Sequence, residues 1–193
     1  MPDYFKYFPK IEYNGKVVTD ITKRAKILDD VENDPYAYMP YTIKDGESPE
    51  EIAQFYYGDV AHVWLVWYSN QTIDPYFDWP LPYVEWEKTL AKKYKAQAEK
   101  DLNRTDLTDD EIVQWTQSNA TNENILYYYD EDDTHLSKDS IINGSVPSSG
   151  WIAKRIYEYE DDTNEAKRDI RLMNKSYLDL ATDNLKRIMN GRK

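Results

Sequence analysis

Residues 41–82 read YTIKDGESPEEIAQFYYGDVAHVWLVWYSNQTIDPYFDWPLP, and the fold turns on this stretch. Tyr41 to Lys44 suits a short strand, and Asp45-Gly46 is a turn pair. Ser48-Pro49-Glu50-Glu51 has the form of a helix start. The serine hydroxyl can accept from the backbone N–H three residues on, Glu51 can reach back, and proline suits the first helical position. The helix would turn Ile52, Ala53, Phe55 and Tyr56 to one side, with Ile52, Ala53 and Phe55 in the core, and Gly58 can end it in the left-handed conformation. Val60 to Tyr68 is apolar nearly all round, as expected of a helix covered on several sides. Pro75, Pro80 and Pro82 then fix an aromatic loop holding Tyr76, Phe77 and Trp79.

Upstream, residues 1–18 are aromatic and proline-containing without helical periodicity, and read as an extended arm with one short strand ending near Val17 and Val18. Such an arm cannot bury itself, so it must lie on the domain or on a partner. In the isolated chain it is expected to be partly disordered, as is the region 144–150. Thr19 or Asp20 can cap a helix with Ile21, Ala25, Leu28 and Val31 on one face, stopped by Asn33-Asp34-Pro35.

Downstream, Trp86, Leu90 and Tyr94 lie at helical spacing after a start near Tyr83, while the remainder, AKKYKAQAEKDL, is polar and expected to run into solvent. Thr108-Asp109-Asp110-Glu111 opens a further helix carrying Ile112, Val113 and Trp115. NILYYYD reads as a strand, the acidic DEDD as a turn and IAKRIYEYE as another strand, giving an antiparallel sheet of two to four strands. From Asp162 the pattern is helical, with Ile170, Met173, Leu178, Ala181, Leu185 and Ile188 on one face, broken near Asn174 and ending at Gly191. The fold class is α+β.

The composition narrows the function. A net charge of -12 disfavours both a phosphate backbone and an anionic membrane surface, so neither nucleic acid nor membrane is an expected partner. No apolar run approaches the length of a membrane span. Cysteine is absent, which removes disulfides, thiolate metal sites and thiol catalysis. The start, MPDYFKYFPKIEYNG, lacks the basic-then-apolar pattern of a cleaved secretion signal. Aromatic usage leans on 18 Tyr and 6 Trp against 4 Phe, a mixture suited to half-buried surfaces and interfaces.

Catalytic chemistry finds little support. The two histidines, His62 in an apolar helix and His135 beside an acidic turn, lack the spacing of a zinc site. His62 reads as a core or interface residue, and His135 with Asp132 and Asp133 as a solvated turn. Among 36 carboxylates some pairs must face one another, so a glycosidase-like pair has no diagnostic force. Neither a phosphate-binding loop nor a nucleophile elbow occurs. No enzymatic activity, metal or cofactor is expected.

YTIKDGESPEEIAQFYYGD resembles the first half of a LysM module, a small βααβ unit. In glycan-binding members the sugar lies along the turn after the first strand and the loop after the second helix, which here correspond to Asp45–Ser48 and Asn70–Asp74. The second strand departs from the family pattern, since DWPLPYVEW stands in its place. A broader resemblance covers FPKIEYNGKVVTDITKRAKIL, the LysM-like stretch, HVWLVWYSNQTIDPYFDWPL and YEYEDDTNEAKRDIRLMNKSYL. Taken in order, these four segments resemble the LysM-like baseplate wedge subunit of T-even-like contractile-tailed phages.

That resemblance implies a structural protein of the virion tail baseplate, assembled in the host cytoplasm. Its partners would be other wedge subunits, including the central helical bundle and neighbouring wedges, with the LysM-like fold used for protein contact. Glycan binding is not expected, and a peptidoglycan-binding LysM protein is the competing reading. The implied organisation is an N-terminal arm and short helix (1–40), a LysM-like module with its following helix (41–95), a helical connector (96–123), and a small antiparallel sheet with helices (124–193). Tyr57, Trp64, Trp67, Tyr76 and Trp79 are the candidate partner-interface anchors, because buried aromatics dominate such contacts. Packing of Trp64 and Trp67 inside the module is the competing reading for those two.

Overall fold

A computed structural model describes residues 3–22, 29–32, 34–72, 74 and 76–189. In chain order, a 3-10 turn (Asp3–Tyr7) leads into β1 (Lys10–Tyr13), β2 (Lys16–Thr19), α1 (Asp29–Glu32), β3 (Tyr38–Thr42), α2 (Pro49–Tyr57) and α3 (Val63–Ser69). Then follow α4 (Tyr83–Leu102), α5 (Asp109–Gln117), β4 (Ile125–Tyr129), β5 (His135–Ser137), α6 (Lys138–Ile142), β6 (Ile152–Arg155), α7 (Ile156–Glu165), β7 (Asp169–Met173) and α8 (Leu178–Met189). The fold is α+β. Contacts gather these elements into two compact units, residues 1–80 with 167–193, and residues 81–166.

In the first unit the chain runs β3, α2, α3 and, much later in sequence, β7. Strand β3 pairs antiparallel with β7, Tyr38 opposite Met173 and Thr42 opposite Asp169. The start of α2 is a capping box: Glu51 N–H donates to the Ser48 hydroxyl at 3.2 Å and Ser48 N–H donates to the Glu51 carboxylate at 2.8 Å. Gly58, with φ 85°, ends the helix in the left-handed region, where a Cβ would be strained. Ile52 and Ala53 are buried against Ile43, Val66 and Leu172.

Phe55 is not in that core; it is 80% exposed. At 100° per residue the direction midway between the buried Ile52 and Ala53 and the half-buried Tyr56 and Tyr57 points well away from position 55. Helix α3 is apolar on several faces because two clusters cover it. Trp64 and Leu65 pack with Phe8, Met173, Ala181, Leu185 and Met189, while Val66 joins the Ile52 cluster.

Two expectations for this unit are corrected. The N-terminal stretch is not an extended arm with one strand but a hairpin, β1 paired with β2 from Lys10–Thr19 to Tyr13–Lys16. Its two-residue turn is Asn14-Gly15, with φ 50° and 71°, the pair that two-residue hairpins favour. The stretch expected to be helical from Asp162 is interrupted by β7, in which Ile170 and Leu172 face the Ile52 cluster while Met173 joins the other. Of the helix expected after Thr19, Ala25 and Leu28 lie outside the described residues, as do Asn33, Pro75 and Gly191. Asp20 closes a turn, accepting from Thr22 N–H at 3.1 Å and Thr22 hydroxyl at 2.6 Å.

In the second unit α4 and α5 pack side by side around Trp86, Leu90, Ala91, Ala98, Ile112, Val113, Trp115 and Ile156. The later turns of α4 do not run into solvent, because Ala91 and Ala98 are buried, and their small side chains let the helices approach. Trp115 Nε1 donates to Asp101 at 2.7 Å. The sheet order is β5-β4-β6, all antiparallel. The strand expected over IAKRIYEYE ends at Arg155, and the rest is helix α7. Glu158 explains the switch: its carboxylate accepts from Arg155 N–H at 3.3 Å, closing a helical first turn that buries Ile156.

Candidate interaction surface

Within the first unit, the turn after β3 and the loop after α3 come together. Glu47 sits at the centre of the turn. Its carboxylate accepts from the Tyr41 hydroxyl at 2.8 Å and from Lys44 N–H at 3.0 Å. Burial and then the bond to Glu47 push the Tyr41 hydroxyl up to about 12, so it stays protonated as a donor. Trp79 closes the other side: its Nε1 donates to the Glu47 carbonyl at 3.0 Å, and its ring meets Trp67 edge-on at 5.1 Å. Asp45 at the rim is paired with Arg168 at 3.1 Å. A shallow groove lined by Lys44, Asp45, Gly46, Glu47, Glu51 and Phe55 lies alongside.

Residue 74 is tied to residues 76–78. Tyr76 N–H donates to the Asp74 carboxylate at 2.9 Å, and Asp74 N–H donates to the Asp78 carboxylate at 2.9 Å. Phe77 and Asp78 N–H both donate to the Asp74 carbonyl, at 3.1 and 2.8 Å. The two aspartates thus hold a tight turn whose tip displays Tyr76 and Phe77, 87% and 74% exposed. A turn already fixed by its own hydrogen bonds loses little further backbone entropy when its side chains dock.

The five anchor candidates fall in different places. Trp64 is 7% exposed and belongs to the interior, packed on Tyr68 at 5.7 Å. Tyr57 is half-buried, its hydroxyl donating to the Met173 carbonyl at 3.1 Å, and burial raises its pKa. Trp67 and Trp79 are half-buried and packed on each other, while Tyr76 stands exposed in the following loop. Trp64 is inside the fold, and Tyr76 alone of the five is strongly exposed.

Phe77 and Phe55, both exposed beside this turn and groove, are absent from the five anchor candidates. The spacing Asp74-x-x-x-Asp78 around Phe77 was the signal, since two carboxylates four residues apart can cap one turn. For Phe55 the signal was its angular position on the helix.

The histidines sit apart. His62 is half-buried, its ring 6.0 Å from Tyr57, with Nδ1 lacking a hydrogen-bond partner among the described residues. His135, exposed at the start of β5, has Nε2 3.2 Å from the Asp133 carboxylate. Among the described residues, no three His, Asp or Glu side chains converge to hold a metal ion. No described helix is long and apolar enough to cross a membrane.

The sequence profile of a protein family described as Base plate wedge protein 53 matches residues 3–188. Among curated proteins, the Baseplate wedge protein gp53 of Enterobacteria phage T4 is 26% identical over 196 aligned positions, covering 96% of this chain and 95% of the relative.

Proposed function

The chain belongs to the Base plate wedge protein 53 family, and from that membership we propose that it is a structural subunit of a phage tail baseplate wedge, without chemistry of its own. It resides in the virion tail and is assembled in the host cytoplasm. Its partners are other wedge subunits, including the central helical bundle and neighbouring wedges around the tail hub. The βααβ order of β3, α2, α3 and β7, with its antiparallel strand pair, supports a LysM-like module interrupted by residues 81–166.

One observation carries the protein-contact reading: a turn bonded to the Asp74 and Asp78 carboxylates holds Tyr76 and Phe77 out of the fold. Exposed aromatics on a preorganised element have the character of interface anchors. Trp79, at the end of that loop, is anchored to the Glu47 carbonyl and packed on Trp67, while Tyr57 and Trp64 pack in the cluster with Leu65 and Met173. The polar groups a sugar would need at the 45–48 turn are engaged internally, Glu47 by Tyr41 and Lys44, and Asp45 by Arg168. That favours protein contact over a glycan groove.

The test is electron microscopy of particles from infections in which the gene is disabled or carries Tyr76→Ser with Phe77→Ser. Loss of assembled baseplates, with free wedges accumulating in both cases, is the expected result. Intact tails that contract yet fail to cross the cell wall would overturn the reading in favour of a peptidoglycan-binding LysM protein.

A further inference from the structure

The chain's negative charge is concentrated. Residues 81–166 hold 19 acidic against 9 basic residues, net -10 of the total -12. Within them, residues 127–166 hold 10 acidic against 3 basic, net -7.

In the midst of this stretch lies an open groove walled by tyrosines. Tyr127 and Tyr129 share one face of β4 because side chains alternate along a strand. Tyr159 reaches the same place from α7, its ring edge-on to Tyr127 at 6.4 Å. Asp133 and Asp162 also line the groove, together with Lys154, Thr163 and Ala166, around a cavity of about 520 Å³. His135 stacks on Tyr127 at 4.3 Å and approaches Asp133, which stiffens that rim.

We propose that this groove seats an arginine side chain of a neighbouring baseplate protein, with the guanidinium over the tyrosine rings and facing Asp133. The proposal rests on the reading of the chain as an assembly subunit, but not on the surface around Tyr76.

Three features favour a cation. Tyrosine faces carry negative quadrupole density that attracts an ammonium or guanidinium. The groove already holds one cation, since Lys154 is ion-paired to Asp162 and buried enough to be 16% exposed at its side chain. Asp162 and then Glu158 keep that ammonium charged despite its partial burial. Asp133, by contrast, is 86% exposed at its side chain, and among the described residues it faces an imidazole and no Lys or Arg. Arginine fits better than lysine because its planar guanidinium can stack on a ring while its N–H groups reach a carboxylate. A neutral sugar could stack on the same rings but would gain nothing from the surrounding charge.

The test titrates the full chain with a labelled hexapeptide of alternating glycine and arginine, and with the same peptide carrying citrulline, at physiological salt. The arginine peptide is expected to bind, and the citrulline peptide to bind at least roughly tenfold more weakly. Asp133→Asn and Tyr159→Leu are each expected to weaken the arginine peptide by roughly three- to tenfold. Asp133 has φ 58°, a conformation asparagine tolerates, so Asp133→Asn keeps the turn even if Tyr159→Leu disturbs the sheet. Tyr76→Ser with Phe77→Ser is expected to leave peptide binding unchanged, which separates this groove from the other surface. Equal binding of the two peptides, or no effect of Asp133→Asn, would overturn the proposal. So would binding of a soluble chitin oligosaccharide that is lost in Tyr159→Leu but kept in Asp133→Asn, which would make the groove a carbohydrate site.

Discussion

Asn70 and Arg171, 101 residues apart in sequence, exchange two hydrogen bonds: Asn70 Nδ2 donates to the Arg171 carbonyl and Arg171 N–H donates to Asn70 Oδ1, both at 2.9 Å. The side-chain amide thus does for β7 what one residue of a further strand would do. Pro40 stands opposite Arg171 at a pair that exchanges no ladder bonds, since the bonded pairs alternate between Ala37 with Asn174 and Ile43 with Arg168, so the Arg171 backbone groups point away from β3 towards Asn70. Asn70 also donates to the Val66 carbonyl at 2.8 Å, and Arg171 Nε donates to the Ser69 carbonyl at 2.7 Å. The end of α3 is joined to β7 by three hydrogen bonds.

Replacing Asn70 with alanine leaves the Arg171 N–H and carbonyl without these partners in a part-buried place. A buried group left unpaired costs about 1–3 kcal/mol. Asn70→Ala is expected to lower the urea midpoint accordingly, with no change in slope. A loss under about 0.5 kcal/mol would mean that water replaces the amide at both groups.

Asn164 plays the same part for the second unit. Its carboxamide accepts from Leu81 N–H at 2.8 Å and donates to the Leu81 carbonyl at 3.0 Å, so the two ends of residues 81–166 are clasped together. The cluster around Trp86, Ile112, Trp115 and Ile156 lies wholly within those limits. A fragment of residues 81–166 is therefore expected to fold cooperatively by itself, with dispersed amide resonances. Asn164→Ala in that fragment should cost about 1–3 kcal/mol. A fragment without cooperative unfolding would show that this cluster is too small to fold alone.

Ile52 and Phe55 offer a sharper contrast, since both were assigned to the core from sequence and only one is there. Ile52 is fully buried, and Ile52→Ala should cost about 2–5 kcal/mol. Phe55→Ala, on the exposed side of α2, should fall within about 0.5 kcal/mol of the parent. Thermal melts of both variants check this, and a large loss in Phe55→Ala would place that ring in a contact within the chain.

Local signals are readable where a few neighbouring residues decide the outcome. The Ser48 to Glu51 capping box, the Gly58 stop and the Thr108 to Glu111 start form as their spacing implies. What could not be read was long-range. Strand β7 carries an apolar pattern that suits a helix face until Tyr38 to Thr42 offers it a ladder 127 residues away. YEYE alternates like a strand, yet Glu158 can cap the turn, and burial of Ile156 decides for the helix. The anchor candidates mix two kinds of aromatic because composition cannot separate Trp64, packed with Leu65 and Met173, from Tyr76, at the tip of a turn. Asn14-Gly15 was a legible hairpin signal that the extended reading passed over.

The capping glutamates make stability depend on acid pH. Glu51 is held below the usual carboxylate range first by Ser48 N–H and then by the Ser48 hydroxyl. Glu111 is lowered first by Thr108 N–H, then by Arg104. A depressed folded pKa means that the unfolded chain binds more protons as the solution is acidified. The contribution of each glutamate is therefore fully present above its unfolded pKa of about 4.3 and is lost as pH falls through the lower folded value. Glu51→Gln with Glu111→Gln keeps an acceptor at both caps but removes the titrating charge. The double variant is expected to be less stable than the parent at pH 7, and the gap in urea midpoint should close as the pH is lowered below about 4. A gap that stays constant from neutral to acid pH would show that the amide's weaker cap, and not the charge, accounts for the loss.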